Sequence, residues 1–290
     1  MTAGRLLLNA MEMAVEEAAA AKASTKATRK ATTTKRSLAV QRTTRSYVPG
    51  PSLLDQVDLK RRLSVSAYET ALRDLQGRLA RLAWQACEAQ VPMVLAFEGW
   101  DAAGKGSAIR RVTQAMDPRL YRVVSIAAPT DEERAQHYLW RFWRHLPRDG
   151  RITIFDRTWY GRVMVERVEG FAPVADWDRA YCEINGFERQ LVDHGTALAK
   201  FWLHVSPDEQ LKRFKERQRV PWKHHKITAE DWRNRKKIPA YREAVEEMLA
   251  RCSPAEAPFT VVAGNDKRFA RVQILQTIVD RLSRTLGTTG

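Results

Sequence analysis

The sequence predicts an α/β fold, a parallel sheet of about five strands covered by helices. Three observations predict it. Five short apolar runs, at 91–97, 122–127, 151–155, 197–205 and 259–263, have the length and composition of buried strands. Segments with helical spacing precede, separate and follow them, at 66–87, 107–116, 131–146, 174–193, 207–219, 227–248 and 267–286. The first strand and the helix after it are joined by a short stretch bounded by Gly99 and Gly104. Strands and helices in alternation make a helix-covered parallel sheet, whose ligands sit at the carboxyl ends of the strands.

The chain has 290 residues, enough to bury a full core, and a formal charge of +15. Residues 1–50 hold nine basic and three acidic residues, so about nine of the surplus charges belong to the rest. A surplus of that size implies a polyanionic partner: nucleic acid, an anionic membrane or a phosphate polymer. Three well-separated cysteines, Cys87, Cys182 and Cys252, suit a reducing compartment and suggest no metal cluster. No apolar run approaches the length of a membrane span, and Glu12, Glu16 and Glu17 interrupt any leader-like pattern. The expectation is a cytoplasmic protein without membrane contact.

Taken in order, residues 1–50 read as a basic low-complexity tail and linker, expected to be disordered beyond a short Ala-rich helix over 5–21. The helix over 66–87 carries Leu72, Leu75, Leu79 and Leu82 on one side, with Arg73, Arg78 and Arg81 elsewhere. It leads into the first strand. The breaker Asp117-Pro118 precedes the second strand. The helix expected over 131–146 is rich in aromatics, which read as core; Arg141, Arg144 and Arg148 are candidates for an anion path. The third strand ends at Asp156-Arg157. Thr228 and Asp231 form a capping-box pattern that opens the helix over 227–248. Asn265-Asp266-Lys267 caps the last helix.

The chemistry gathers at two strand ends. Strand, glycine-bounded loop, lysine and helix is the order of a phosphate-binding loop. Gly99 and Gly104 let successive backbone N–H groups turn inward, the helix N-terminus adds positive potential, and Lys105 adds a full charge with three donors. Gly106 stands where such loops carry a magnesium-holding Ser or Thr, and Ser107 comes one residue late. Asp101 sits inside the loop instead, where a carboxylate among phosphates implies a metal ion or an acceptor group to orient. An apolar strand ending in Asp156 is the Walker B pattern, whose aspartate reaches the same metal. Arg157 would aim a cation there. Residues 207–237 are placed like the lid of a small-molecule kinase, and Arg213 and Arg217, one turn apart, share a helix face that would close over the transferring phosphoryl group. His224 and His225 lack a metal-ligand spacing and fit an anion path or solvent.

The ordered segments Gly99-Trp100-Asp101-Ala102-Ala103-Gly104-Lys105-Gly106, Phe155-Asp156-Arg157-Thr158-Trp159-Tyr160, Leu211-Lys212-Arg213-Phe214-Lys215-Glu216-Arg217, Pro221-Trp222-Lys223 and Asn265-Asp266-Lys267-Arg268 resemble the polyphosphate kinase type 2 family. The resemblance covers roughly residues 50–286. It implies a three-layer P-loop kinase-like fold with a helical lid, one domain over 51–290, and Mg²⁺-dependent phosphoryl transfer between inorganic polyphosphate and a nucleoside mono- or diphosphate. It implies Asp101 and Asp156 as metal ligands and Lys105, Arg157, Arg213 and Arg217 as catalytic. It also implies a phosphate site of Gly99, Gly104, Lys105, Gly106 and Ser107, with Arg167 and Lys226 as further contacts. The run 156–171 looks most like the polyphosphate:AMP phosphotransferase branch, with ADP as the alternative acceptor. A homo-oligomer is expected and a nucleic-acid partner is not. An ATP-dependent nucleoside monophosphate kinase and a non-enzymatic nucleic-acid binder are the rivals. The first does not explain the basic excess, and the second does not explain Asp101, Asp156 and the loop together.

Overall fold

Val94, Leu95, Ala96 and Phe97 are almost wholly buried, because the strand they form lies at the centre of a sheet covered on both faces. The computed structural model describes residues 50–288. The basic segment and linker expected over 1–50 lie outside the described residues except for Gly50.

The elements alternate as the apolar runs indicate. Helix α1 (Val65–Glu88) precedes β1 (Met93–Gly99), and α2 (Lys105–Thr113) follows. Next come β2 (Tyr121–Ser125), two single-turn helices α3 (Asp131–Arg134) and α4 (Trp140–Trp143), and β3 (Ile152–Asp156). A 3₁₀ segment (Trp159–Val163), α5 (Val165–Val168) and α6 (Val174–Asp193) lead to β4 (Ala197–His204). Then α7 (Pro207–Arg219), a 3₁₀ segment (Pro221–Lys226), α8 (Ala229–Lys236), α9 (Ile238–Arg251), β5 (Phe259–Ala263) and α10 (Lys267–Thr285) complete the described chain. The sheet is five-stranded, in the order β2-β3-β1-β4-β5. Every pairing is parallel, with Phe97 level with Asp156 on one side and with Phe201 on the other.

Alternate residues of each central strand feed two cores, since successive side chains point to opposite faces. Met93, Leu95 and Phe97 pack with α1, α2 and α10. Val94 and Ala96 pack with α4, α6 and α9. The order of strands places β1 between β3 and β4, so the turn after β1 stands beside the carboxyl ends of both.

Two expected helices are interrupted. The span 131–146 holds only α3 and α4, because its aromatics are claimed by separate partners. Arg162 lies over the Tyr138 ring, Phe142 meets Phe155 and Trp159, and Trp143 meets Phe187. Those contacts outweigh the modest helix propensity of aromatic residues. The span 227–248 opens with the expected Thr228–Asp231 capping box but divides at Lys237. Pro239 lies in the first turn of α9, where its missing N–H costs no helical bond, and it could not continue α8.

Candidate active site

The loop after β1 is held from outside so that its inside stays open. Gly99, at φ 148°, abuts β4; a Cβ there would lie 2.6 Å from the Leu203 carbonyl oxygen. Gly104, at φ 114°, caps α2. The Trp100 N–H donates to Leu203 and that of Ala103 to the Trp100 carbonyl. The N–H groups of Gly104, Lys105 and Gly106 have no partner in the loop or cap, and they begin α2, where the helix dipole favours an anion. Lys105 Nζ donates to the Gly99 carbonyl at 2.6 Å. Ser107 Oγ donates to the Gly104 carbonyl at 3.0 Å. Gly106 is exposed and has open space around its Cα.

Arg213 supplies the outside grip. Its Nη1 donates to the carbonyls of Ala102 and Ala103 at 3.0 and 2.9 Å. Its Nη2 donates to Gly264 and Asn265 at 2.7 and 3.0 Å, and its Nε to Glu209 at 2.7 Å. Five donors thus meet five acceptors in a side chain that is almost wholly buried. Arg213 and Arg217, expected to reach one closed site together, are not brought together in this structure. The Arg213 fork lies under the loop, tied to carbonyls on the opposite side of their peptides from the N–H groups. Arg217 Nη1 instead donates to the Lys226 carbonyl at 2.6 Å, and Lys226 itself is exposed.

Arg157 lies between the end of β3 and the loop after β1. Asp156 ends β3, level with Phe97 of β1, and its side chain makes no hydrogen bond or ion pair among the described residues. Arg157 follows in the left-handed region at φ 67°, a conformation a non-glycine residue keeps only when its surroundings impose it. Its N–H donates to the Phe97 carbonyl at 3.1 Å, and its Nη2 lies 3.7 Å from Asp101 Oδ1. Glu98 fixes the next residue: its Oε1 accepts from the Thr158 N–H at 2.7 Å and the Thr158 hydroxyl at 2.9 Å. Burial pushes the Glu98 carboxyl up, while Lys105 and Arg157 nearby pull it down. Sequence reasoning passed over Glu98; the one signal was a charged residue inside an otherwise apolar strand.

Among the described residues no cluster of three His, Cys, Asp or Glu side chains forms a ready metal cage. Mg²⁺ is commonly held by one or two carboxylates, water and substrate phosphates. Asp101, in the loop after β1, and Asp156, at the end of the neighbouring β3, are both half-buried and fit that donor set.

The lid lies over this site. Gln210 of α7 donates to the Asp101 carbonyl at 3.1 Å, and Asn234 of α8 to Asp101 Oδ2 at 3.1 Å. Arg167 is drawn away from it. Its Nη1 donates to Glu247 at 2.6 Å and Tyr181 at 3.0 Å, its Nη2 to Glu243 at 3.1 Å, and it lies over the Trp177 ring. The expected phosphate contact is not made here; two carboxylates of α9 occupy its fork. Arg141 is similarly taken, by Glu133 and the Ala127 carbonyl, and Arg144 lies over Trp140 beside Glu132. His224 bonds with the Gln218 carbonyl at 2.6 Å.

The sequence pattern of the family described as Polyphosphate kinase 2 (PPK2) matches residues 62–288. The chain is 55% identical over 237 residues to a polyphosphate:AMP phosphotransferase of Pseudomonas aeruginosa, covering 82% of this chain and 48% of that protein. It is 48% identical over 284 residues to a polyphosphate:AMP phosphotransferase of Pseudomonas syringae pv. tomato, covering 98% of this chain and 54% of that one. The chain therefore spans about half the length of these curated relatives. A crystal structure of polyphosphate kinase 2 from Arthrobacter aurescens superposes with a TM-score of 0.78 at 32% identity, covering 82% of this chain and 87% of that one.

Proposed function

Because the chain belongs to the polyphosphate kinase 2 family, we propose that it moves a phosphoryl group from inorganic polyphosphate to AMP, giving ADP and a polyphosphate one unit shorter. The observation that carries this reading is the juxtaposition of the loop after β1, with Asp101 and Lys105, and the adjacent end of β3, with Asp156 and Arg157, where Arg157 lies 3.7 Å from Asp101. It is supported by the 55% identity to a relative named for that reaction.

Phosphoryl transfer needs positioning and charge neutralisation more than covalent catalysis. The amides of Gly104, Lys105 and Gly106 bind phosphate oxygens, and Lys105 turns from the Gly99 carbonyl to the same chain. Asp101 and Asp156 would hold Mg²⁺, which would supply neutralisation of phosphate charge. Arg157, positioned by its imposed backbone, stabilises charge on the transferring group. Arg217 and Lys226, on the lid, are placed to meet the polyanion, and Arg213 keeps the loop in shape. We assign the reaction to one domain over 51–290. Among the described residues no helix is long and apolar enough to cross a membrane. The three cysteines are unpaired, which suits a reducing compartment, so we take the cytoplasm as the setting and a homo-oligomer as the working form.

A donor-swap assay tests the reading. Purified chain is given AMP or ADP with either polyphosphate or ATP. ADP formed from AMP with polyphosphate supports it. Transfer only to ADP moves it to the diphosphate branch. Transfer only from ATP replaces it with a monophosphate kinase.

A further inference from the structure

Asn234 is the lid side chain that touches the loop's carboxylate. Its Nδ2 donates to Asp101 Oδ2 at 3.1 Å. Its Oδ1 is buried and has no hydrogen-bond partner. Buried amide oxygens are normally paired, so an orphan beside a reacting centre points to a donor that arrives with the ligands. The neighbouring residue reinforces the contact. Arg235 Nη1 donates to Gln210 Oε1 at 2.9 Å, and Gln210 Nε2 donates to the Asp101 carbonyl at 3.1 Å. The lid therefore holds Asp101 at its side chain directly and at its backbone through Gln210. The other oxygen of the Asp101 carboxylate is left towards Arg157, at 3.7 Å.

We propose that Asn234 is a positioning residue that couples lid closure to Asp101. This rests on the reading of Asp101 as a metal carboxylate. The amide N–H orients the carboxylate so that Oδ1 faces the site. The orphaned Oδ1 of Asn234 accepts a hydrogen bond from a water or hydroxyl that enters with cation and nucleotide. Closure and orientation of the carboxylate then become one event. Asn234 lies on α8, a helix with no buried residue, so its truncation leaves the fold intact.

The test uses the full chain and the variants Asn234→Ala and Asn234→Asp. The first readout is trypsin cleavage of the lysine- and arginine-rich segment 212–237 without substrate. Asn234→Ala should be cut about tenfold faster than wild type, the loss expected for one hydrogen bond to a charged group. Asn234→Asp sets a carboxylate against Asp101 and should be cut faster still. Added Mg²⁺ should slow that cleavage below the Asn234→Ala rate, because a cation between two carboxylates turns repulsion into attraction. The second readout is kinetic: in Asn234→Ala, kcat falls about tenfold while KM for polyphosphate stays within twofold. Wild-type cleavage in Asn234→Ala, or an Asn234→Asp lid indifferent to Mg²⁺, overturns the proposal. If the cleavage pattern holds but wild type transfers nothing from polyphosphate, the functional reading fails and the coupling stands.

Discussion

Nη2 of Arg157 lies 3.7 Å from Oδ1 of Asp101, bringing the residue after β3 against the loop after β1. The contact exists because β1 and β3 are parallel neighbours in register, Phe97 opposite Asp156. It also depends on a backbone turn at φ 67° that Arg157 adopts against its own preference.

That strain separates stability from activity. Arg157→Gly removes the guanidinium and relieves the left-handed backbone. Its unfolding free energy should stay within about 1 kcal/mol of wild type or exceed it, since relief of strain offsets the extra freedom of glycine in the unfolded chain. Its kcat should fall about 10²–10³-fold, the size of a lost electrostatic contact in the transition state. Urea unfolding and steady-state kinetics on the same preparation check both. A variant that turns over normally would remove Arg157 from the site.

Lys105→Ala should lower turnover at least about 10²-fold and leave the melting temperature within a few degrees. Lys105 is half-buried and its one short bond is to the Gly99 carbonyl, so little of the fold depends on it. Near-normal turnover would refute the phosphate-loop reading.

Arg213 behaves differently from a mobile lid arginine. Arg213→Ala strips three buried carbonyls, the part-buried Asn265 carbonyl and Glu209 of this donor, and should cost on the order of 3 kcal/mol of stability. Arg213→Lys should recover only part, because an ammonium cannot span both the phosphate loop and the loop before α10. Denaturant unfolding decides. Wild-type stability in both variants, with kcat lost, would restore the phosphoryl-contacting role.

The loop also has a pH-sensitive support. Trp100 Nε1 donates to His204 Nδ1 at 2.9 Å, which requires that nitrogen unprotonated. Burial, reinforced by Arg242, pushes the His204 ring down from 6.5 to about 4. Between those values the unfolded chain binds the proton and the folded chain does not, so stability falls as pH drops. The contribution is intact above about 6.5, declines toward pH 4 and then levels, at most about 3 kcal/mol. His204→Asn keeps an acceptor and loses the titration. Its unfolding free energy should decline less than wild type between pH 7 and pH 4; parallel curves would contradict the assignment.

What could be read in advance was what is local in sequence. The glycine-bounded loop, Lys105 and Asp156 stand in contiguous motifs attached to apolar strands, and the alternation of strands and helices implies a parallel sheet. The fate of each arginine was not local. Spacing places Arg213 and Arg217 on one face, but Arg213 is captured by carbonyls at Ala102, Ala103, Gly264 and Asn265, which follow the two strands on either side of β4. Arg167 is captured by Glu243 and Glu247 of a later helix. Glu98 was hidden by its apolar neighbours, and its role depends on Thr158, two residues beyond β3.

The central claim is metal-dependent transfer from polyphosphate to AMP at the Lys105–Asp101–Asp156 centre. One ³¹P NMR time course of the purified chain with AMP, polyphosphate and Mg²⁺ tests it most directly. The β-phosphate resonance of ADP should grow as AMP and polyphosphate signals decline, and excess EDTA should stop it. No ADP resonance with Mg²⁺ present, or ADP growth undiminished by EDTA, would contradict the account.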